Sequence, residues 1–83
     1  MRHKLLKIAN ELNRMILHSD EEVEVEFGNS YYGTVCIGFW HYSQKYEDKC
    51  NYLKFYECYT DEKLQRNFEL AKEVIAGECL IDE

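Results

Sequence analysis

The feature that most constrains the fold is a strict alternation of glutamate with an apolar side chain over residues 22–27. Successive side chains of a β-strand point to opposite faces, so this period of two predicts a strand with one acidic and one apolar face. The acidic face consists of Glu22, Glu24 and Glu26, and the apolar face consists of Val23, Val25 and Phe27. A strand of this kind needs partner strands and a cover for its apolar side.

Two further segments have strand composition. Residues 34–42 and 52–59 are rich in β-branched and aromatic side chains, which favours strands. A turn signal, Gly28-Asn29-Ser30, follows the first strand, and Gly33 closes the loop before the second. Because the connections between strands are short, the sequence predicts an antiparallel meander of three strands.

Two amphipathic helices flank the predicted strands. Apolar residues recur at spacings of three and four over residues 3–18, which predicts the first helix. Thr60 stands where a helix N-cap belongs, and Gly77 is a natural stop for a second helix. The predicted fold is therefore α+β: one domain over residues 1–83, in two layers, with the order α-β-β-β-α.

The strand alternation divides the predicted sheet into two faces. The core face is predicted to hold Val23, Val25, Phe27, Val35, Ile37, Phe39, Leu53 and Phe55. The opposite face is predicted to hold Glu22, Glu24, Glu26, Thr34, Cys36, Gly38, Trp40, Tyr42, Tyr52, Lys54, Tyr56 and Cys58. If both helices pack on one side, this aromatic and acidic face is left uncovered.

The charge of the chain and its lack of long apolar stretches limit the classes of function to be expected. The formal net charge is −6, and residues 20–26 alone carry −5. An acidic chain is a poor ligand for phosphates, so we expect no direct contact with nucleic acid. No stretch approaches a membrane span or an export signal, so we expect no membrane contact and a cytoplasmic location.

The four cysteines are predicted to be reduced thiols without a metal. Cys36, Cys50, Cys58 and Cys79 are separated by 13, 7 and 20 residues, whereas a zinc site needs closely spaced pairs. No cofactor motif is present in the sequence, so we expect no cofactor. Two disulfides would be the alternative in a secreted protein.

The predicted function is binding of another protein without catalysis. Tyr and Trp are enriched at protein interfaces, so the candidate binding residues are Glu22, Glu24, Glu26, Trp40, Tyr42, Tyr52 and Tyr56. The glutamates of one strand face lie roughly 6.5–7 Å apart. That spacing is close to the separation of successive phosphates along a nucleic-acid strand. The more specific prediction is an inhibitor, of the kind found in phages and mobile elements, that occupies a basic site on a nucleic-acid-acting protein.

Two alternatives remain open at this stage. The aromatic face could be the interface of a homodimer with a structural role. A small thiol-dependent enzyme is the other alternative, because His41 could activate Cys36 or Cys58. The simpler interpretations are that His41 is a loop-end histidine at the terminus of a strand and that the cysteines are small apolar residues that only contribute to packing.

Overall fold

The computed structural model of the protein describes residues 2–29 and 34–81. The elements are α1 (Arg2–Ile16), β1 (Val23–Asn29), β2 (Val35–Tyr42), β3 (Cys50–Tyr56) and α2 (Asp61–Ile75). The three strands form one antiparallel sheet in the order β1-β2-β3. The predicted α+β class, the element order and the meander are confirmed.

The bounds of all three strands differ from the prediction, by at most three residues at any end. β1 continues through Gly28 to Asn29, because Asn29 still pairs with Val35 of β2. Ser30 and Gly33, the rest of the predicted turn, lie outside the described residues. β3 begins at Cys50, opposite Tyr42, and ends at Tyr56.

The second helix begins and ends as predicted. The Thr60 hydroxyl accepts a hydrogen bond of 3.1 Å from the Lys63 N–H, which satisfies one of the free donors of the first turn. Asp61 and Glu62 follow in that turn, where the helix dipole favours negative charge. Gly77 has a φ of +79°, the left-handed conformation that glycine adopts most readily after a helix.

Both helices pack on the same face of the sheet. The core joins residues of α1 and α2 with odd-numbered residues of β2 and β3 and with Ile81. The buried members are Leu5, Ile8, Ala9, Leu12, Val35, Ile37, Phe39, Phe55, Leu64, Ala71, Val74, Ile75 and Ile81. This arrangement leaves the even-numbered face of the sheet without a covering layer.

The cover over β1 is thinner than the cover over β2. Val23 and Val25 point to the core face as predicted but are only half-buried, and Phe27 is 44% exposed. By contrast, Ile37 and Phe39 on β2 are fully buried. The first strand is therefore a partly exposed edge of the domain.

Within the described residues, neither helix is both long enough and apolar enough to cross a bilayer.

Candidate protein-binding face

The uncovered side of the sheet is called the open face here, and its rows follow from the strand register. Glu24, Trp40 and Tyr52 form one row across the three strands. Glu26, Gly38 and Lys54 form the next row. The open face as a whole consists of Glu24, Glu26, Gly28, Cys36, Gly38, Trp40, Tyr42, Cys50, Tyr52, Lys54 and Tyr56.

Trp40 is the centre of this face. Its indole lies across Gly38, where a Cβ would stand 2.5 Å from the indole Cη2 and still closer to Cζ3. The Tyr52 ring lies beside it, with the ring centroids 6.3 Å apart. The Lys54 ammonium lies 4.5 Å from the indole centroid and 5.7 Å from the Tyr52 centroid, so it interacts with both rings. The large aromatic side chain is thus held in place before any partner binds.

The acidic residues line one edge of the open face. The side chains of Glu22, Glu24 and Glu26 are exposed. Glu22 lies just before β1, and its carbonyl accepts the Tyr42 N–H at 2.9 Å. The sheet register therefore extends the row to all three glutamates.

Tyr42 links the acidic row to the aromatic residues. Its hydroxyl donates a hydrogen bond of 2.9 Å to the Glu24 carboxylate. That bond holds the phenol in its neutral form and, with the nearby negative charge, raises the pKa of Tyr42 above its usual value. Tyr42 and Tyr52 are 37% and 49% exposed, so both rings are accessible from solvent.

A shallow depression lies between the acidic row and Lys54. It has a volume of about 330 Å³ and is lined in part by Glu26, Gly28, Cys36, Gly38 and Lys54. The depression is open at Gly28, where no atom lies within 4 Å of the place a Cβ would take, whereas the Trp40 indole covers Gly38. The lining of the depression thus includes one acidic residue, Glu26, and one basic residue, Lys54.

Tyr56 lies at the far end of the open face, apart from the Trp40 cluster. Its ring meets that of Tyr59 edge-on, with the centroids 5.3 Å apart. The Lys63 ammonium lies 4.0 Å from the Tyr59 centroid. Tyr56 therefore has a neighbouring aromatic residue that the sequence pattern did not single out.

His41 belongs to the core face and not to a strand-end loop. It lies within β2, is 2% exposed, and shares the odd-numbered face of that strand with Ile37 and Phe39. Cys36 lies on the opposite side of the same strand, and Cys58 follows the end of β3 in an exposed turn. The fold therefore does not bring the imidazole and either thiol together. The placement of Cys58 on the open face was wrong, because β3 ends before that residue.

The buried imidazole instead joins three parts of the chain. Its Nε2 lies 2.9 Å from Oε1 of Glu21, and its Nδ1 lies 2.8 Å from the Tyr46 hydroxyl. That hydroxyl also accepts the Ile81 N–H at 2.7 Å. Every group is satisfied when Tyr46 donates to Nδ1 and the Nε2–H donates to Glu21. The Asn51 amide donates to the Ile81 carbonyl at 3.3 Å, so Ile81 is held through both backbone groups.

The described cysteines and acidic residues do not cluster as metal ligands. No disulfide joins any two of the four cysteines, all of which lie within the described residues. Within residues 2–29 and 34–81, no three His, Cys, Asp or Glu side chains converge as metal ligands would.

A second concave surface lies between the two helices. This groove has a volume of about 1030 Å³ and includes Ile8, Leu64 and Phe68 in its lining. Its rim is charged, but Lys4 pairs with Asp61 at 2.5 Å and Arg14 pairs with Glu11. These two ion pairs compensate part of the rim charge, and Lys7 and Glu62 also line the groove.

Two features of the site were missed from the sequence. His41 continues the odd-numbered positions of β2, which face the core, and that alternation could have placed it. The role of Gly38 had no sequence signal, because it depends on how the Trp40 side chain folds over the strand.

Comparisons with family models, with curated proteins and with solved structures gave no match to this chain.

Proposed function

We propose that the protein is a non-catalytic binding domain whose open face and acidic edge dock onto a basic surface of another protein. The observation that carries this proposal is the one-sided packing of the helices. It leaves Trp40, Tyr42 and Tyr52 accessible beside an exposed row of glutamates. Preordered Trp and Tyr side chains are the residues that most often dominate binding energy.

The spacing and charge of the acidic row support a more specific partner. Glu22, Glu24 and Glu26 lie on one side of an extended strand, at roughly 6.5–7 Å intervals. A row of this kind can occupy a groove that normally binds a phosphate backbone. We therefore propose that the partner is a nucleic-acid-acting protein and that this domain inhibits it by occupying its basic site.

The experiment compares three forms of the tagged protein in capture from a nuclease-treated cell lysate. They are the wild type, the variant E22K/E24K/E26K, and the control variant E47K/E73K/E78K. Glu47, Glu73 and Glu78 are exposed and lie outside the three strands that form the open face: in the β2–β3 loop, in the last turn of α2 and after that helix. Each triple variant brings the formal net charge from −6 to 0, so only the position of the charge differs.

The expected result is one basic protein that the wild type and the control variant capture and that E22K/E24K/E26K does not. With that protein purified, the reversed row should slow association ~10-fold or more and remove its salt dependence. Trp40→Ala and Tyr56→Ala should raise the dissociation rate, and a short DNA duplex should compete with the domain. Equal binding by all these variants would refute the proposal, and a concentration-dependent dimer without a partner would favour self-association.

A further inference from the structure

The two edges of the sheet differ in which backbone groups are free. In an antiparallel sheet, the N–H and C=O of one residue point to the same side, and successive residues alternate. The Tyr42 N–H bonds to the Glu22 carbonyl, so the even-numbered residues of β1 face β2. The backbone groups of Val23, Val25 and Phe27 therefore point outward from the sheet.

The outer edge of β3 is partly blocked by side chains. The Tyr52 N–H donates to the Asn51 side-chain oxygen at 2.8 Å. The Lys54 carbonyl accepts from the Asn67 amide at 3.0 Å. Side chains that bond to an edge in this way make it a poorer template for another strand.

The outer edge of β1 has no such protection among the described residues. No hydrogen bond to the outward backbone groups of Val23, Val25 or Phe27 is formed there. Phe27 is 44% exposed beside them. The edge thus offers a row of backbone hydrogen-bond donors and acceptors, with the exposed apolar side chain of Phe27 beside them.

The side chains of β1 define which strand would fit. Glu24 and Glu26 project on the open face, and Val25 and Phe27 project on the core face. We propose that β1 binds an extended segment of the partner in which basic and apolar residues alternate. Its basic side chains lie beside the glutamates, and its apolar side chains complete the thin cover near Phe27.

This inference deepens the proposed function and rests on it, because the same glutamates carry both. A second copy of the chain is a poor occupant of this edge. An antiparallel pair of two β1 strands would place one glutamate row beside the other, which is repulsive. The proposed segment alternates basic and apolar residues and pairs through its backbone. A uniformly basic surface could bind the glutamates without any backbone pairing, so the two kinds of partner are distinguishable.

The test uses a capped seven-residue peptide of alternating lysine and valine, with ¹⁵N-labelled protein observed by NMR. At saturating peptide, hydrogen exchange of the Val25 and Phe27 amides should slow ~10-fold or more. The Glu24 and Glu26 amides already lie in the ladder with β2 and should change less. The matched control is the same peptide with N-methyl groups on the amides that would face β1, which keeps charge and apolar character but prevents pairing.

The possible results separate the two proposals. Slowed exchange with the first peptide and not with the methylated one supports strand pairing. Equal binding of both peptides, with changes only at Trp40 and Tyr52, overturns strand pairing but leaves binding through the open face. No binding of either peptide also overturns pairing by β1, while the lysate capture described above judges the proposed function independently.

Discussion

The Lys54 ammonium lies 4.5 Å from the centre of the Trp40 indole, on the exposed side of the sheet. This pair accounts for a basic residue in the middle of an otherwise acidic and aromatic surface. The ammonium is attracted by the ring face, and the ring is fixed in turn over Gly38. The open face is therefore partly ordered by its own side chains.

Removing the charge of Lys54 should weaken that order. Lys54→Met keeps an unbranched apolar stem but loses the attraction to the ring. We expect a loss of about 0.5–1 kcal/mol in the free energy of unfolding, together with a change in tryptophan fluorescence. Urea unfolding measures the first effect. Lys45→Met, at an exposed loop position, is the control; equal losses in both variants would contradict the assigned role of Lys54.

A side chain at position 38 should displace the indole. Gly38→Ala places a methyl group against Trp40, and we expect a loss of about 1–3 kcal/mol from the resulting strain. Gly28→Ala is the matched control, because no atom lies within 4 Å of the added Cβ. That variant should be neutral or slightly stabilising, since alanine restricts the unfolded chain. Thermal unfolding and near-ultraviolet circular dichroism distinguish the two; an unchanged tryptophan signal in Gly38→Ala would contradict the packing.

The Tyr46 hydroxyl should anchor the C-terminal segment. Tyr46→Phe leaves the Ile81 N–H and the His41 Nδ1 without this partner. A buried polar group that loses its partner costs about 1–3 kcal/mol. We expect that loss in urea unfolding and faster hydrogen exchange of the Ile81 amide. Tyr52→Phe, on the exposed side of the sheet, is the control and should leave Ile81 unchanged.

Alkaline pH should reveal the bond between Tyr42 and Glu24. The hydrogen bond to Glu24 raises the pKa of Tyr42, and burial raises the pKa of Tyr46. Both phenols are neutral in folded and unfolded chains below pH ~10, so their contribution to stability is complete there. As the pH rises further, the unfolded chain ionises first and that contribution is lost.

The titration of tyrosinate absorbance tests this assignment. Glu24→Gln should move the Tyr42 transition down towards the usual tyrosine pKa, while the Tyr46 transition stays in place. Tyr42→Phe is the control that identifies which transition belongs to Tyr42. If the Tyr42 transition falls at the same pH in the wild type and in the Glu24→Gln variant, the bond to the carboxylate is not the cause of the raised pKa.

The sequence predicted which residues share a face of the sheet, but it did not predict how the helices cover those faces. The alternation in β1 and the apolar positions of β2 assigned Val25, Ile37 and Phe39 to the core side, and the register confirms this. Whether both helices cover the same side of the sheet was not predictable, because β2 is apolar or aromatic on both faces. That choice depends on the fit of whole helices against the sheet.

The buried residue His41 shows a second limit of prediction from the sequence. The alternation of β2 could have placed His41 on the core side, but its hydrogen-bond partners, Glu21 and Tyr46, lie in separate segments and could not be paired with it from the sequence. Such networks are set by tertiary structure and have no local pattern. The function of the open face likewise remains a prediction that the partner experiments decide.

The alternation in β1 also protects the fold against a specific error. If β1 paired with β2 one residue out of register, Glu24 and Glu26 would point into the layer beneath the helices, and Val25 would point to water. Placing two carboxylates on that half-buried side costs free energy, which disfavours the shifted register. The acidic row therefore helps to fix the register between β1 and β2. Substitutions of its glutamates that probe binding should for this reason remain charged or polar.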